Sequence, residues 1–168
     1  YMLVFGSVIG KQYSQYLKGR VLSAGSIKNN FVRKENSAQP GVIAFVGHWR
    51  LVTGRSVRGR FLHSFEDVWA RPDNLVIQCL MHYASEHNKR LMIIPASHYS
   101  SDELSKERAY CRELMGVEPE FFEPSGPYPS YQSVDSAEVV VTLDSSLGYE
   151  SIARYKKTAF FSIRSTLL

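Results

Sequence analysis

Residues 139–150 read Val-Val-Val-Thr-Leu-Asp-Ser-Ser-Leu-Gly-Tyr-Glu, and this stretch decides the fold class. Its first five residues form a continuous apolar and β-branched run, which is typical of a strand covered on both faces. The paired hydroxyl residues Ser145 and Ser146 then mark the start of a helix, because serine caps the amide groups of a first helical turn. The stretch therefore predicts a strand that passes through a short turn into a helix.

Similar apolar runs recur along the chain and alternate with helical patterns. We predict strands at residues 21–26, 42–46, 91–94, 120–122, 139–143 and 158–163, and helices at residues 8–17, 75–87, 101–115 and 146–155. Alternating strands and helices are typical of a parallel sheet with right-handed crossovers. The fold class is therefore α/β: a Rossmann-like parallel sheet of about six strands with helices on both faces.

The composition excludes several classes of protein. The chain has 168 residues, of which 44% are hydrophobic and 21% charged. Such a chain buries a hydrophobic core, so disordered, collagen-like and disulfide-stabilised proteins are excluded. The net charge of +4 suits a ligand with phosphate groups. Because no nucleic-acid-binding motif accompanies that charge, we expect no nucleic acid as a partner.

Targeting and redox features indicate the cytoplasm. No stretch approaches the roughly 20 apolar residues of a membrane-spanning helix, and the apolar opening lacks the basic region of a signal peptide. Cys79 and Cys111 show no metal-ligand spacing, so we expect free, half-buried thiols in a reducing compartment.

The polar residues that follow the predicted strands mark the candidate ligand site, because open α/β sheets bind ligands at the carboxyl ends of their strands. Ser145 and Ser146 begin a helix, where free amide groups and the helix dipole favour a phosphate. Gly148 allows a close approach of the backbone, and Glu150 stands one turn on, in a position to accept hydrogen bonds from ribose hydroxyl groups. The alternative is ordinary helix capping by Asp144 or Ser145.

The motif at residues 144–150, Asp-Ser-Ser-Leu-Gly-Tyr-Glu, is followed by Ala-Arg at 153–154 and by a basic and apolar strand at 156–164. Together these segments resemble the donor-binding, C-terminal half of GT-B glycosyltransferases, and most closely those of bacterial surface-carbohydrate and O-antigen synthesis. Residues 25–30 resemble the passage between the two domains of such enzymes. Residues 45–50, Phe-Val-Gly-His-Trp-Arg, resemble the first donor-domain strand and its aromatic-Arg end. The resemblance covers residues 21–164.

The resemblance implies a ligand and the residues that bind it. Related donor domains use the paired hydroxyl groups for the nucleotide phosphate and the glutamate for the ribose. The resemblance therefore implies a phosphate-binding role for Ser145 and Ser146 and a ribose-binding role for Glu150. A nucleotide-sugar is then the substrate, and we expect no separate cofactor and no metal site, since the sequence has no Asp-x-Asp motif.

Three further residues follow from the resemblance. Arg50 is expected to clamp a phosphate, because guanidinium binds phosphate oxygens through a bidentate fork; the alternative is a surface salt bridge. His48 is expected to line the cleft. His98 follows the strand at 91–94, where relatives often place a histidine near the donor phosphate, and it is the candidate proton donor to the leaving phosphate. The alternative for His98 is a solvated loop residue.

Residues 50–60 contain four arginines and two glycines, which predict a mobile basic loop. Its functional interpretations are closure over a diphosphate and attraction to an anionic glycan or lipid-linked acceptor. The alternative is a solvated surface loop without a ligand.

These observations lead to an expected function. The chain is interpreted as a glycosyltransferase donor domain that binds a nucleotide-activated sugar for transfer to a bacterial surface polysaccharide. Residues 1–20 are then the tail of a preceding acceptor domain or an N-terminal helix, and residues 21–168 form the nucleotide-sugar-binding domain. The acceptor is a glycan or a lipid-linked glycan, with peripheral association at the inner face of the membrane.

The expected catalytic base belongs to the missing acceptor domain and stays unassigned, so the chain reads as a piece of a larger enzyme. Two alternatives remain open. One is a non-catalytic or truncated nucleotide- or glycan-binding domain, and the other is a nucleotide-sugar epimerase of the same fold.

Overall fold

The computed structural model describes residues 1–47, 71–95, 101–123 and 126–162. The chain forms two compact units, Tyr1–Lys34 and Glu35–Leu168, which we call unit 1 and unit 2. Each unit has its own sheet and is described by itself. In the described part of the chain, no helix is both long enough and apolar enough to cross a lipid bilayer.

Unit 1 is a two-stranded sheet with two short helices. Its elements are β1 (Met2–Val4), α1 (Ser7–Ser14), β2 (Val21–Ser23) and α2 (Ile27–Phe31). The two strands are parallel, with Met2 opposite Val21. Helix α1 packs closely on this sheet at Gly10, where an added Cβ would lie 3.4 Å from Val4. Ser26 caps α2 by accepting a hydrogen bond from the amide of Asn29 at 3.2 Å.

Unit 2 is a five-stranded parallel sheet with helices between the strands. Its elements are β3 (Val42–Val46), α3 (Arg71–Glu86), β4 (Arg90–Ile94), α4 (Ser101–Met115), β5 (Glu120–Phe121), α5 (Pro129–Ser136), β6 (Val139–Thr142), α6 (Ser146–Ala153) and β7 (Lys157–Phe160). The strand order is β5-β4-β3-β6-β7, and every neighbouring pair is parallel. The predicted α/β, Rossmann-like fold class is confirmed.

One predicted strand belongs to the other sheet. Residues Val21–Ser23 pair with β1, so the sheet of unit 2 contains five strands among the described residues, where the sequence predicted about six. The same pairing ties residues 21–23 to the N-terminal strand. Residues 21–34 thus belong to the same compact unit as residues 1–20. A short apolar pattern predicts a strand, but it does not specify the sheet that the strand joins.

Helices cover both faces of the five-stranded sheet. On one face Phe45 of β3 packs in a cluster with Val76 and Ile77 of α3. On the other face Ala44 of β3 packs with Val134 of α5. Successive residues of a strand point to opposite faces, so all five residues of β3 are buried. Because burying one large apolar side chain contributes about 1.5–3 kcal/mol, this central strand is the centre of the core.

Candidate functional site

The strand order selects the ends of β3 and β6 as the candidate ligand site. From β3 the chain passes outward to β4 and β5, and it then continues on the other side of β3 with β6 and β7. Ligands of open parallel sheets bind outside the carboxyl ends of the strands, where the direction of the connections reverses in this way. Val46 and Thr142 are paired at this position.

Thr142 joins the two strand ends. Its side chain is fully buried, and its Oγ1 donates a hydrogen bond to the carbonyl oxygen of Val46 at 3.1 Å. The same Oγ1 accepts a hydrogen bond from the amide of Ser145 at 3.4 Å. These bonds hold the turn between β6 and α6 against the end of β3.

Ser145 is the N-cap of α6. Its Oγ accepts a hydrogen bond from the amide of Leu147 at 3.3 Å, and its carbonyl oxygen accepts one from the amide of Gly148 at 3.0 Å. Two amides of the first turn therefore have partners within the protein, as helix capping requires. A serine hydroxyl that accepts a hydrogen bond still has its own proton to donate. The hydroxyl groups of Ser145 and exposed Ser146 are thus better suited to a phosphate than these two amides.

Gly148 has a packing role. A Cβ on this residue would lie 2.6 Å from Thr142 Cγ2 and 2.9 Å from Cε1 of Phe160. Carbon atoms of a close-packed interior do not approach so closely, so a side chain here would displace α6 from the sheet. Contact between helix and sheet therefore requires a glycine here, and the approach of a ligand to this backbone stays a prediction.

Glu150 is partly exposed and is oriented by a buried tyrosine. Tyr131 of α5 donates a hydrogen bond from its hydroxyl group to Glu150 Oε2 at 3.0 Å. Glu150 follows Ser146 by four residues, so the two Cβ atoms lie about 5–6 Å apart on one side of α6. The bond from Tyr131 therefore orients the carboxylate of Glu150.

A buried ion pair joins the two helices that carry Tyr131 and Glu150. Arg154 donates from Nε to Asp135 Oδ1 at 2.8 Å and from Nη2 to Oδ2. The Arg154 and Asp135 side chains are only 1% and 2% exposed. Asp135 Oδ2 also accepts from the amide of Glu35 at 2.8 Å, and the guanidinium carbon lies 5.1 Å from the centroid of the Tyr131 ring. The ion pair thus supports the tyrosine that orients Glu150.

Lys156 holds the C-terminal end of α5. Its ammonium group donates to the carbonyl oxygens of Asp135 and Ala137, the latter at 3.0 Å. A cation at this end of a helix satisfies carbonyl groups that have no partner within the helix. Burial lowers the pKa of Lys156, and the charge of Asp135 opposes that change. Lys156 therefore strengthens the same α5–α6 support from the opposite end of α5.

Asp73 of α3 and Glu107 of α4 have buried carboxylate side chains. Asp73 Oδ2 lies 3.5 Å from the position that a Cβ on Gly47, the residue directly after β3, would occupy. Burial is the largest cause that raises the pKa of Cys111 to about 12, followed by the charges of Glu107 and Asp73. Both cysteines are free thiols, as the sequence predicted, but Cys111 is buried and Cys79 is exposed, whereas both were expected to be half-buried.

The structure brings four of the predicted site residues together at the β6–α6 turn, namely Ser145, Ser146, Gly148 and Glu150. The other three, His48, Arg50 and His98, lie outside the described residues, as does the basic segment 50–60. Within the described ranges, no group of three or more His, Cys, Asp and Glu side chains is arranged to hold a metal ion.

Sequence analysis missed the residues that support Glu150. Tyr131 and Asp135 lie on α5, which the sequence pattern did not predict as a helix. Arg154 was noted in the sequence only as part of the Ala-Arg pair at residues 153–154, without a structural role. The available signals were the proline at the start of α5 and the spacing of Tyr131 and Val134, both buried on one side of that helix.

Comparison with known proteins supplies the biological context. The profile of a family described as "putative O-antigen biosynthesis protein" matches residues 1–168. The chain belongs to this family. The description gives a biosynthetic context, in agreement with the O-antigen part of the sequence-based expectation, and it specifies no reaction. A search of the curated proteins found no match to the chain.

Proposed function

We propose that unit 2 binds the nucleotide of an activated-sugar donor at the ends of β3 and β6, as the donor-binding half of a GT-B type glycosyltransferase of O-antigen synthesis. Three findings support this proposal. They are the family to which the chain belongs, the parallel sheet with its reversal of direction at β3 and β6, and the polar turn at that position.

The observation that carries the proposal is the arrangement of Ser145, Ser146 and Glu150 around the start of α6. The positive end of the helix dipole and two hydroxyl groups suit the phosphates of the donor. Glu150, one turn further and oriented by Tyr131, suits the vicinal hydroxyl groups of a ribose. The first turns of α6 would therefore supply hydrogen-bond donors for the phosphates of a nucleotide and a hydrogen-bond acceptor for its ribose.

The proposed chemistry is electrostatic. Negative charge develops on the departing phosphate during sugar transfer, and prearranged donors stabilise that charge in the transition state. Ser145, Ser146 and the dipole of α6 would act in this way. Arg50 is the proposed phosphate clamp, His48 a residue that lines the cleft, and His98 the proposed proton donor to the leaving phosphate.

The remaining partners belong to the same proposal. The acceptor is a glycan or a lipid-linked glycan, and a second, acceptor-binding domain supplies the base that takes the proton of the acceptor hydroxyl. We therefore propose nucleotide binding for this chain and sugar transfer for the assembly of both domains.

Calorimetry with CDP-, CMP-, UDP- and GDP-linked compounds tests the proposal. We expect one class of nucleotide to bind, and we expect Ser146→Ala and Glu150→Ala each to weaken binding by about 1–3 kcal/mol, the range for a lost hydrogen bond to a charged group. Ser136→Ala at the other end of the sheet and Glu113→Ala at an exposed position of α4 are the matched controls.

Two results would count against the proposal. Failure of every nucleotide to bind the folded protein at millimolar concentration would exclude a donor site. Equal affinity in the Ser146 and Glu150 variants and their controls would place the site elsewhere. Release of free nucleotide that depends on an added acceptor distinguishes a transferase from an epimerase and from a module that only binds.

A further inference from the structure

The positive charge of the chain is concentrated in unit 1. Residues 1–34 contain six basic residues, Lys11, Lys18, Arg20, Lys28, Arg33 and Lys34, and no Asp or Glu. The other fourteen Lys and Arg are in residues 35–168, together with all sixteen Asp and Glu. Unit 1 therefore carries a formal charge of +6 and the rest of the chain −2, so the net charge of +4 comes entirely from one fifth of the sequence.

Unit 1 also exposes large apolar side chains. Eleven of the nineteen large apolar residues that are exposed in the described part of the chain lie in residues 1–34. Among these eleven residues of unit 1, the six most exposed are Tyr1, Leu3, Phe5, Val8, Tyr16 and Phe31, with exposed fractions between 54% and 87%. Helix α1 has no buried residue. Exposed apolar side chains in this number are typical of a surface that binds a partner molecule or a membrane.

Cationic and apolar groups meet at one concave surface of unit 1. A cavity of about 260 Å³ is lined by residues on both sides of Gly19, including Leu17, Lys18 and Arg20, and by Tyr1. The guanidinium carbon of Arg20 lies 5.7 Å from the centroid of the Tyr1 ring. Two cations beside an aromatic ring and a leucine suit a phosphate group that is attached to acyl chains.

We infer that unit 1 binds the surface of a membrane containing anionic phospholipid, with Lys18 and Arg20 at the lipid phosphates and the exposed apolar side chains among the acyl chains. The positive charge of unit 1 favours an anionic membrane over a second copy of the chain as the binding partner. A membrane with anionic lipid attracts basic residues, and aromatic and aliphatic side chains anchor such surfaces at the boundary with the acyl chains. Two copies of unit 1 facing each other would instead bring six positive charges against six.

Lipid binding by unit 1 is independent of the proposed nucleotide site of unit 2. It requires neither a nucleotide nor a sugar acceptor, so it can fail while the proposed function holds, and the reverse. Its consequence is that the donor-binding domain works at a bilayer, where lipid-linked substrates are located.

Sedimentation of the whole chain with lipid vesicles tests the inference. We expect binding to phosphatidylcholine vesicles that contain phosphatidylglycerol, weaker binding to pure phosphatidylcholine, and loss of the difference at high salt, which screens exposed charges. Lys18→Glu with Arg20→Glu should weaken binding to the anionic vesicles by at least about tenfold, given the attraction of each basic residue to anionic lipid. Lys106→Glu with Arg112→Glu on exposed α4 makes the same change of charge in unit 2 and should have little effect.

Phe5→Ser with Phe31→Ser tests the apolar part and should reduce the binding that survives high salt. Circular dichroism shows whether each variant is folded, and inorganic phosphate is added at matched ionic strength as a competitor. Retained vesicle binding in its presence supports the lipid surface.

Four results would overturn the inference. The first is equal binding to neutral and anionic vesicles, and the second is an equal loss in the unit 1 and α4 variants. The third is displacement by inorganic phosphate alone, which would mean a soluble anion. The fourth is that the protein forms a dimer that does not bind vesicles, and that Phe5→Ser with Phe31→Ser dissociates this dimer. A second copy of the chain would then cover the surface.

Discussion

Removing the charge of Asp135 should destabilise unit 2 more than any exposed charge change. Asp135→Asn keeps the shape of the side chain, but it removes the negative charge that pairs with the buried guanidinium of Arg154. It also places an amide group where a carboxylate oxygen accepted hydrogen bonds from Arg154 and from the amide of Glu35. The two side chains of the pair are 1% and 2% exposed, so water cannot replace the lost partner.

The expected loss is about 3–5 kcal/mol in the free energy of unfolding, the range for breaking a buried ion pair by removing one partner. A domain of this size has a stability of about 5–15 kcal/mol, so the loss is a large fraction of the total. The matched control is Asp102→Asn on α4. Its partner Lys106 is on the next helical turn, and the Lys106 and Asp102 side chains are 51% and 72% exposed. Breaking such an exposed pair should cost less than about 1 kcal/mol.

Urea unfolding followed by circular dichroism measures both losses. Arg154→Met and the double variant with Asp135→Asn complete a cycle, and the double variant should cost about 0.5–3 kcal/mol less than the sum of the single variants. A stabilising role of the buried ion pair is excluded if Asp135→Asn costs no more than Asp102→Asn, or if the two single losses add without coupling.

Two further predictions follow from packing and burial. Gly148→Ala should lower the stability of unit 2 by about 1–3 kcal/mol, because the contact of 2.6 Å with Thr142 outweighs the helix propensity of alanine, worth about 1 kcal/mol. Thermal unfolding measures this loss, and Gly10→Ala, whose Cβ would make only ordinary contacts, is the control; a more stable Gly148→Ala would contradict the packing argument. Exposed Cys79 should react rapidly with a thiol reagent at pH 8, whereas Cys111, with its pKa raised to about 12, should react only on unfolding. Absorbance of the released thiolate gives the two rates, and equal rates would contradict the burial of Cys111.

The regular elements around the core were predictable because their patterns are local. The runs at residues 42–46, 91–94 and 139–143 are continuous and apolar, and they form central strands. The two serines at residues 145 and 146 predicted the start of α6, and Ser145 is its cap. Such signals depend on neighbours within one or two turns of chain, so the sequence alone carries them.

Helix α5 was missed because its local signals are weak. It has eight residues, follows a segment with several prolines, and buries polar Ser133 and Asp135 together with Tyr131 and Val134. Polar residues on the inner side of a helix obscure the apolar period. Only the partner Arg154, on another helix, makes the burial of Asp135 favourable.

The fold class, the charge of residues 1–34 and the polar turn at the start of α6 were all readable from the amino-acid sequence. Each follows from composition or from residues that are close in the chain. The tertiary structure decided which strands are neighbours, that Val21–Ser23 pairs with Met2–Val4, and that Tyr131 orients Glu150. It also showed a packing requirement for Gly148, where Phe160 of β7 leaves no room for a side chain. These facts depend on contacts between residues distant in sequence, which form only when the helices and strands of each unit pack together.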